Sequence, residues 1–209
     1  PVNSWSHLLG AVVFLCVTIY QLRPGSQGRK HFIPIAIFGF SCVFLFSMSG
    51  VYHLLPDGTV GRYVLRILDH AGIYLLIAGT FTAVHCILFS GVMCWGIIVL
   101  VWVLAINGIV FGTIYFDQMP EFLNLTFFLG LGWLGLISGI TLLRRKGLYF
   151  IRNFVFGGIF YSVGAVLEFN RIPVLITGVF GPHELFHSAV LLGAAYHWLF
   201  IIDAIKGRK

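Results

Sequence analysis

Charge is scarce in this sequence. Of its 209 residues only 10% are Asp, Glu, Lys or Arg, while 59% are apolar; a soluble globular domain carries roughly 25% charged residues. That balance excludes an ordinary water-soluble domain. Acidic residues are the scarcest, seven against thirteen Lys and Arg, for a net charge of +6. The surplus is not a nucleic-acid footprint, which needs basic residues gathered on one exposed face. Here they lie between apolar runs, so no nucleic-acid partner is expected. Cysteine is sparse too. Cys16, Cys42, Cys86 and Cys94 fall in or beside apolar stretches without CxxC spacing, which excludes a disulfide framework and leaves reduced packing residues. The first apolar run has no basic stretch before it, so no cleavable leader is expected there. The sequence opens at Pro1 rather than Met, and a native start upstream is expected. Internal repeats and low-complexity linkers are also missing.

What is present is a series of seven apolar runs, at about 5–22, 32–55, 67–89, 93–115, 122–143, 149–168 and 183–205. A membrane-spanning helix needs about 20 such residues. Seven would use roughly 140 positions and leave about 70 for six connections and two tails. No separate soluble domain fits in that remainder. In lipid every backbone polar group must be paired internally, so runs of this length are helices. The expected fold is an all-α integral membrane protein, a seven-transmembrane helix bundle forming a single domain over 1–209.

Basic residues near helix ends are retained on the cytoplasmic side. Arg23, Arg29, Lys30, Arg144, Arg145, Lys146, Arg152, Lys206, Arg208 and Lys209 share one side; Arg62, Arg66 and Arg171 share the other. Ten against three puts the C-terminus in the cytoplasm and, with seven spans, the N-terminus outside. The setting expected is a bacterial-type plasma membrane. The basic cytoplasmic rim reads as a topology determinant.

Ionisable groups inside spans are costly and are functional candidates by default. Ser49-x3-His53 closes the second run, and Asp69-His70 opens the third after an expected loop of eleven residues. His183-Glu184-Leu-Phe-His187 opens the seventh. An even number of crossings separates the end of run two from the start of run seven, so these groups belong to one membrane face. Residues four apart on a helix lie about 40° apart around it and one turn apart along it, so His183 and His187 can address one point. A third imidazole from His53 gives a three-histidine site with one open position. In that arrangement zinc holds a water and lowers its pKa to about 7. Ser49 and Asp69 are placed to orient the ligands or that water.

His183 to His187 also spells H-E-x-x-H, in which the Glu of soluble metalloproteases is the general base. Seven apolar spans are the wrong context for that fold. Glu184 therefore stands as a rival to Asp69 for water activation, or as a helix N-terminal acid favoured by the dipole, or as a partner to a ligand. His197 lies about 15 Å further along its helix than His187 and cannot share the metal. With His85 and Glu168 it is expected to make polar contacts within the bundle. His7 and His31 are expected at the interface.

Five segments in order carry a family resemblance: Asn3-Ser-Trp-Ser-His7 with the following Leu-Leu-Gly-Ala, Ser49-x3-His53, Leu68-Asp69-His70-Ala-Gly-Ile-Tyr-Leu-Leu-Ile-Ala-Gly-Thr80, Gly157-Gly-Ile-Phe-Tyr-Ser-Val-Gly164, and His183-x3-His187 with His197 downstream. The sequence resembles the progestin and adipoQ receptor superfamily, in particular its hemolysin III branch. The resemblance implies a seven-helix fold, a zinc ion held by His53, His183 and His187, and Asp69 and Ser49 near the metal-bound water. A wider kinship with alkaline ceramidases implies hydrolysis of a lipid amide. Ala83 stands where the family usually has Pro, and Phe186 where it usually has Trp.

The leading functional expectation is a zinc-dependent hydrolase of a lipid amide or ester, with a membrane lipid as substrate and Asp69 as general base. A receptor or regulator of membrane lipid state with structural zinc is the second. A pore-forming cytolysin is the third, and the lack of a polar stripe along any one helix counts against it. The sequence carries no signal for an oligomeric state.

Overall fold

The computed structural model describes residues 2–207; Pro1, and Arg208 and Lys209 of the basic count, lie outside the described residues. The elements are α1 (Val2–Leu22), a 3-10 turn (Gln27–His31), α2 (Phe32–Tyr52), α3 (Val60–Leu88), α4 (Gly91–Ile114), α5 (Glu121–Trp133), α6 (Gly135–Lys146), α7 (Leu148–Asn170) and α8 (Pro182–Ile205). No strand occurs among the described residues. The helices make seven segments long and apolar enough to cross a membrane, with α5 and α6 together forming the fifth, Glu121–Lys146. The seven-span expectation holds, with two differences in detail.

First, α2 ends at Tyr52 rather than near residue 55, and α3 begins at Val60 rather than near 67. Apolarity marks only the lipid-immersed part of a helix. The Thr59 hydroxyl caps α3 by accepting the Arg62 N–H at 3.3 Å, so the helix forms two further turns bearing Arg62 and Arg66. The connection is therefore 53–59, and Asp69 sits in the third turn of α3 rather than at its start. Second, the fifth span is interrupted at Leu134, between Gly132 and Gly135, where the helix register resets. In keeping with the absence of proline at Ala83, α3 runs unbroken through that position.

By internal packing the chain divides into two units, one running through Asn124 and one from Leu125. In the first, α2 packs on α1 and on α3, and α3 packs on α4. Its interior holds Phe38, Cys42, Phe46, Ala78, Ala83 and Val101, all fully buried. Lipid tails are as apolar as these side chains, so association depends on close van der Waals contact and small residues. Gly72 lies so near α2 that a Cβ added there would stand 2.9 Å from Leu45 Cδ1 and 3.0 Å from Leu45 Cα. In the second unit α7 packs along α8: a Cβ at Gly157 would meet the His197 ring at 2.3 Å, and one at Gly164 the Ala189 methyl at 2.5 Å. Outward lie large apolar side chains, among them Trp5, Leu9, Ile33, Val92 and Trp95, each at least 65% exposed. Such a surface is stable only against lipid.

The four cysteines are free thiols. Gly72→Ala should lower the unfolding free energy in detergent by about 1–3 kcal/mol through overpacking. At Gly112, where nothing lies within 4 Å of an added Cβ, Ala should raise it by up to about 1 kcal/mol through helix propensity. Thermal unfolding of the two variants beside the parent checks both signs.

Candidate metal centre

In the first unit, His53 is the residue at which α2 stops. Its N–H still reaches the Ser49 carbonyl at 3.1 Å, and its ring lies 4.5 Å from that of Tyr52. The loop after it is folded back by Arg62. The guanidinium bonds the Tyr52 carbonyl at 3.2 Å, the Leu55 carbonyl, and the Asp57 carboxylate at 2.9 Å, and it lies over the Tyr52 ring. Helix-end carbonyls that would otherwise need water are thereby satisfied by a cation, which also complements the helix dipole. The first two turns of α3 supply this clamp, and they lie outside the apolar run that marks the span.

Ser49 is one turn before His53, 1% exposed, and its hydroxyl oxygen has no hydrogen-bond partner among the described residues. A buried hydroxyl left so costs about 1–3 kcal/mol. Asp69 is half-buried on α3. His70, beside it, directs Nδ1 to the Arg66 carbonyl at 2.8 Å and its ring edge to Phe116.

In the second unit, α8 opens with Pro182 at its first position. The Glu184 carboxylate accepts the Gly181 N–H at 2.8 Å. That is the N-terminal capping role among the readings open for this residue. The rings of His183 and His187 stand 4.6 Å apart, as the four-residue spacing requires. His187 is buried and His183 half-buried. His183 Nδ1 donates to the Glu168 carboxylate of α7 at 3.1 Å, and Arg171 pairs with the same carboxylate oxygen. An imidazole that gives its Nδ1 proton to a carboxylate presents Nε2 as a lone pair, the usual orientation of a metal-bound histidine. Sequence reasoning placed Glu168 only among generic bundle contacts. Its distance from His183 along the chain hides a link made across the α7–α8 pair.

Among the described residues, one ring nitrogen from each of His53, His183 and His187 lies within 4.8 Å of the others, close enough to hold a metal ion. Three imidazoles, one backed by a carboxylate, are a donor set suited to zinc. The Ser49 hydroxyl, buried and without a hydrogen-bond partner among the described residues, is one helical turn before His53. The other histidines are accounted for elsewhere. His85 is fully buried, bonded through Nδ1 to the Met93 carbonyl at 2.6 Å and stacked on Phe89. His197 bonds the Phe154 carbonyl through Nε2 at 3.1 Å. Both are bundle contacts, as expected. His7, near the start of α1, is 3% exposed and its ring meets Phe46 at 5.1 Å, because α1 packs its first turns on the end of α2.

Ser49→Ala removes a desolvated hydroxyl and nothing it bonds to. Its unfolding free energy should match the parent or exceed it by about 1 kcal/mol, while whatever activity the protein carries falls. Thermal unfolding measured beside that activity checks the divergence.

A family profile described as haemolysin-III related matches residues 1–198. Hemolysin-3 of Bacillus cereus is 27% identical over 96% of this chain and 89% of its own, and the Hemolysin-3 homolog of Bacillus subtilis is 34% identical over 92% and 88%. The adiponectin receptor protein of Drosophila melanogaster is 27% identical over 94% of this chain, which spans 48% of that longer protein. With seven apolar spans and these relatives, the chain is an integral multi-pass membrane protein, and it belongs to the haemolysin-III related family within the progestin and adipoQ receptor superfamily.

Proposed function

We propose that this protein is an intramembrane zinc-dependent hydrolase acting on an amide or ester bond of a membrane lipid. The observation that carries the reading is the three-imidazole group, with one imidazole oriented by a carboxylate. Zinc bound there would polarise a carbonyl and activate water near neutral pH. His53, His183 and His187 would hold the ion through neutral nitrogens. Glu168 fixes the tautomer of His183 and raises its basicity. Asp69 accepts the proton of the attacking water and passes it to the leaving group. The Ser49 hydroxyl donates to the oxygen that gains charge, an electrostatic role that strengthens as water is excluded. Glu184, held on the Gly181 N–H, is left to capping. The lipid substrate arrives in the plane of the membrane, which suits a site carried on spans.

A second reading, a receptor or regulator with zinc as a structural tie, is favoured by the names of relatives, among them the progestin and adipoQ receptor-like protein 1 of Caenorhabditis elegans, 26% identical. The hemolysin names of the Bacillus relatives raise a cytolysin, which no polar stripe on any one helix supports.

Elemental analysis of detergent-purified protein should find one zinc per chain, lost in a His183→Ala, His187→Ala double variant. Glu168→Ala should weaken zinc binding by about 10–100-fold. Asp69→Asn should keep the zinc and lose about 10²–10⁴ in turnover on a panel of lipid amides and esters. Full zinc occupancy with no turnover of any panel member would favour the structural tie, and no zinc would end both readings. A reporter fused to the C-terminus should be active in the cytoplasm, as the basic residues direct.

A further inference from the structure

Between Arg171 and His183 runs a stretch with no ionisable side chain, Ile172-Pro-Val-Leu-Ile-Thr-Gly-Val-Phe-Gly-Pro182. A loop between spans ordinarily carries polar residues because it faces water. Here every residue from 171 to 179 is exposed, and Ile172, Val174, Leu175, Ile176 and Val179 are each 56–59% exposed. Five aliphatic side chains displayed together in water would be an aggregation liability.

The backbone of the segment is arranged for a medium poorer than water in hydrogen-bonding partners. Leu175 and Ile176 donate to the Phe180 carbonyl, Val179 and Phe180 donate to the Ile176 carbonyl, all at 2.9–3.0 Å, and Gly178 at φ 75° makes the turn between them. Arg171 and Ile172 donate to α7 carbonyls, and Gly181 donates to Glu184. Pro173 and Pro182 have no N–H to satisfy. The segment is thus a small hairpin that closes four of its eight N–H donors on itself and a fifth, that of Ile172, on α7, which lowers the cost of lying near hydrocarbon.

Its apolar face also continues a lipid-facing one. On α7 the exposed side chains Val155, Ile159, Val163 and Val166 follow helical spacing along one stripe, then Phe169, and the hairpin begins at Ile172. We propose that hairpin 172–180 is an interfacial anchor that inserts its aliphatic face among the lipids of the leaflet in which α7 ends and α8 begins. Insertion fixes the depth of both helix ends, and so of Glu168 and His183, which the hairpin joins. An apolar surface flanked by a cation, Arg171, at headgroup level is the pattern of interfacial anchoring.

The test uses the full chain in phosphatidylcholine–phosphatidylglycerol vesicles, with an environment-sensitive fluorescent amino acid introduced by codon suppression at Val174 or, in a separate sample, at Gly58. The Gly58 turn is exposed beside Asp57 and reports water. Emission from position 174 should be blue-shifted relative to position 58. It should lose most of its intensity to a lipid carrying a quencher near the headgroup and little to aqueous iodide. Adding Ile176→Asp should move the signal toward that of position 58 with unchanged helicity. Water-like emission with strong iodide quenching at position 174 would overturn the proposal. So would a blue shift that ignores the lipid-borne quencher and grows with protein density, which would mean that a second copy covers the hairpin.

Discussion

A bilayer core offers no hydrogen-bonding partner, and almost every feature of this molecule answers to that. Polar side chains inside the spans close on their own helix. Thr18 bonds the Phe14 carbonyl, Thr80 that of Leu76, and Thr82 that of Ala78, each within 2.6–2.8 Å. His85 reaches the Met93 carbonyl of α4, and His197 that of Phe154 on α7. Where a helix ends inside the structure, a cation or a capping carboxylate takes its orphaned groups, Arg62 at the end of α2 and Glu184 at the start of α8. The Ser49 hydroxyl, like that of Ser4, is buried without a hydrogen-bond partner among the described residues, and it lies one turn from a histidine.

The same constraint explains why the fold was legible in the sequence. Backbone pairing in lipid leaves helix as the only state for a long apolar run, so the seven spans could be counted without reference to propensity. Their ends were less visible, because a helix does not stop where lipid stops. The apolar run of α3 begins near residue 67, but the chain has already turned twice as helix, with Thr59 capping it. Asp69, expected at a helix start, is therefore well inside one. The break at Leu134 left no mark in hydropathy, since the residues immediately on either side of it are apolar.

The histidine pair of α8 was legible because four-residue spacing on a helix is local geometry. Glu168 was not, since the link from α7 to His183 depends on how two helices rotate against one another. The cover over His7 was hidden for a similar reason: its position near a span end suggested the interface, and only the packing of α1 on α2 shows that Phe46 lies against it. Glu184, for which several roles were open, makes the capping bond to the Gly181 N–H, a contact that the letters H-E-x-x-H do not reveal.

The two glycines of α7 that press against α8 bear on His183 from a distance. A carboxylate at roughly 6 Å from the helix axis moves about 2 Å when its helix turns by about 20°, enough to take a 3.1 Å hydrogen bond beyond its range. Gly157 seated on the His197 ring and Gly164 on the Ala189 methyl key α7 against such turning. The aim of an imidazole at one end of the helix pair is set by a mechanical lock further along it, and loosening that lock would misdirect the ring without touching either residue of the hydrogen bond.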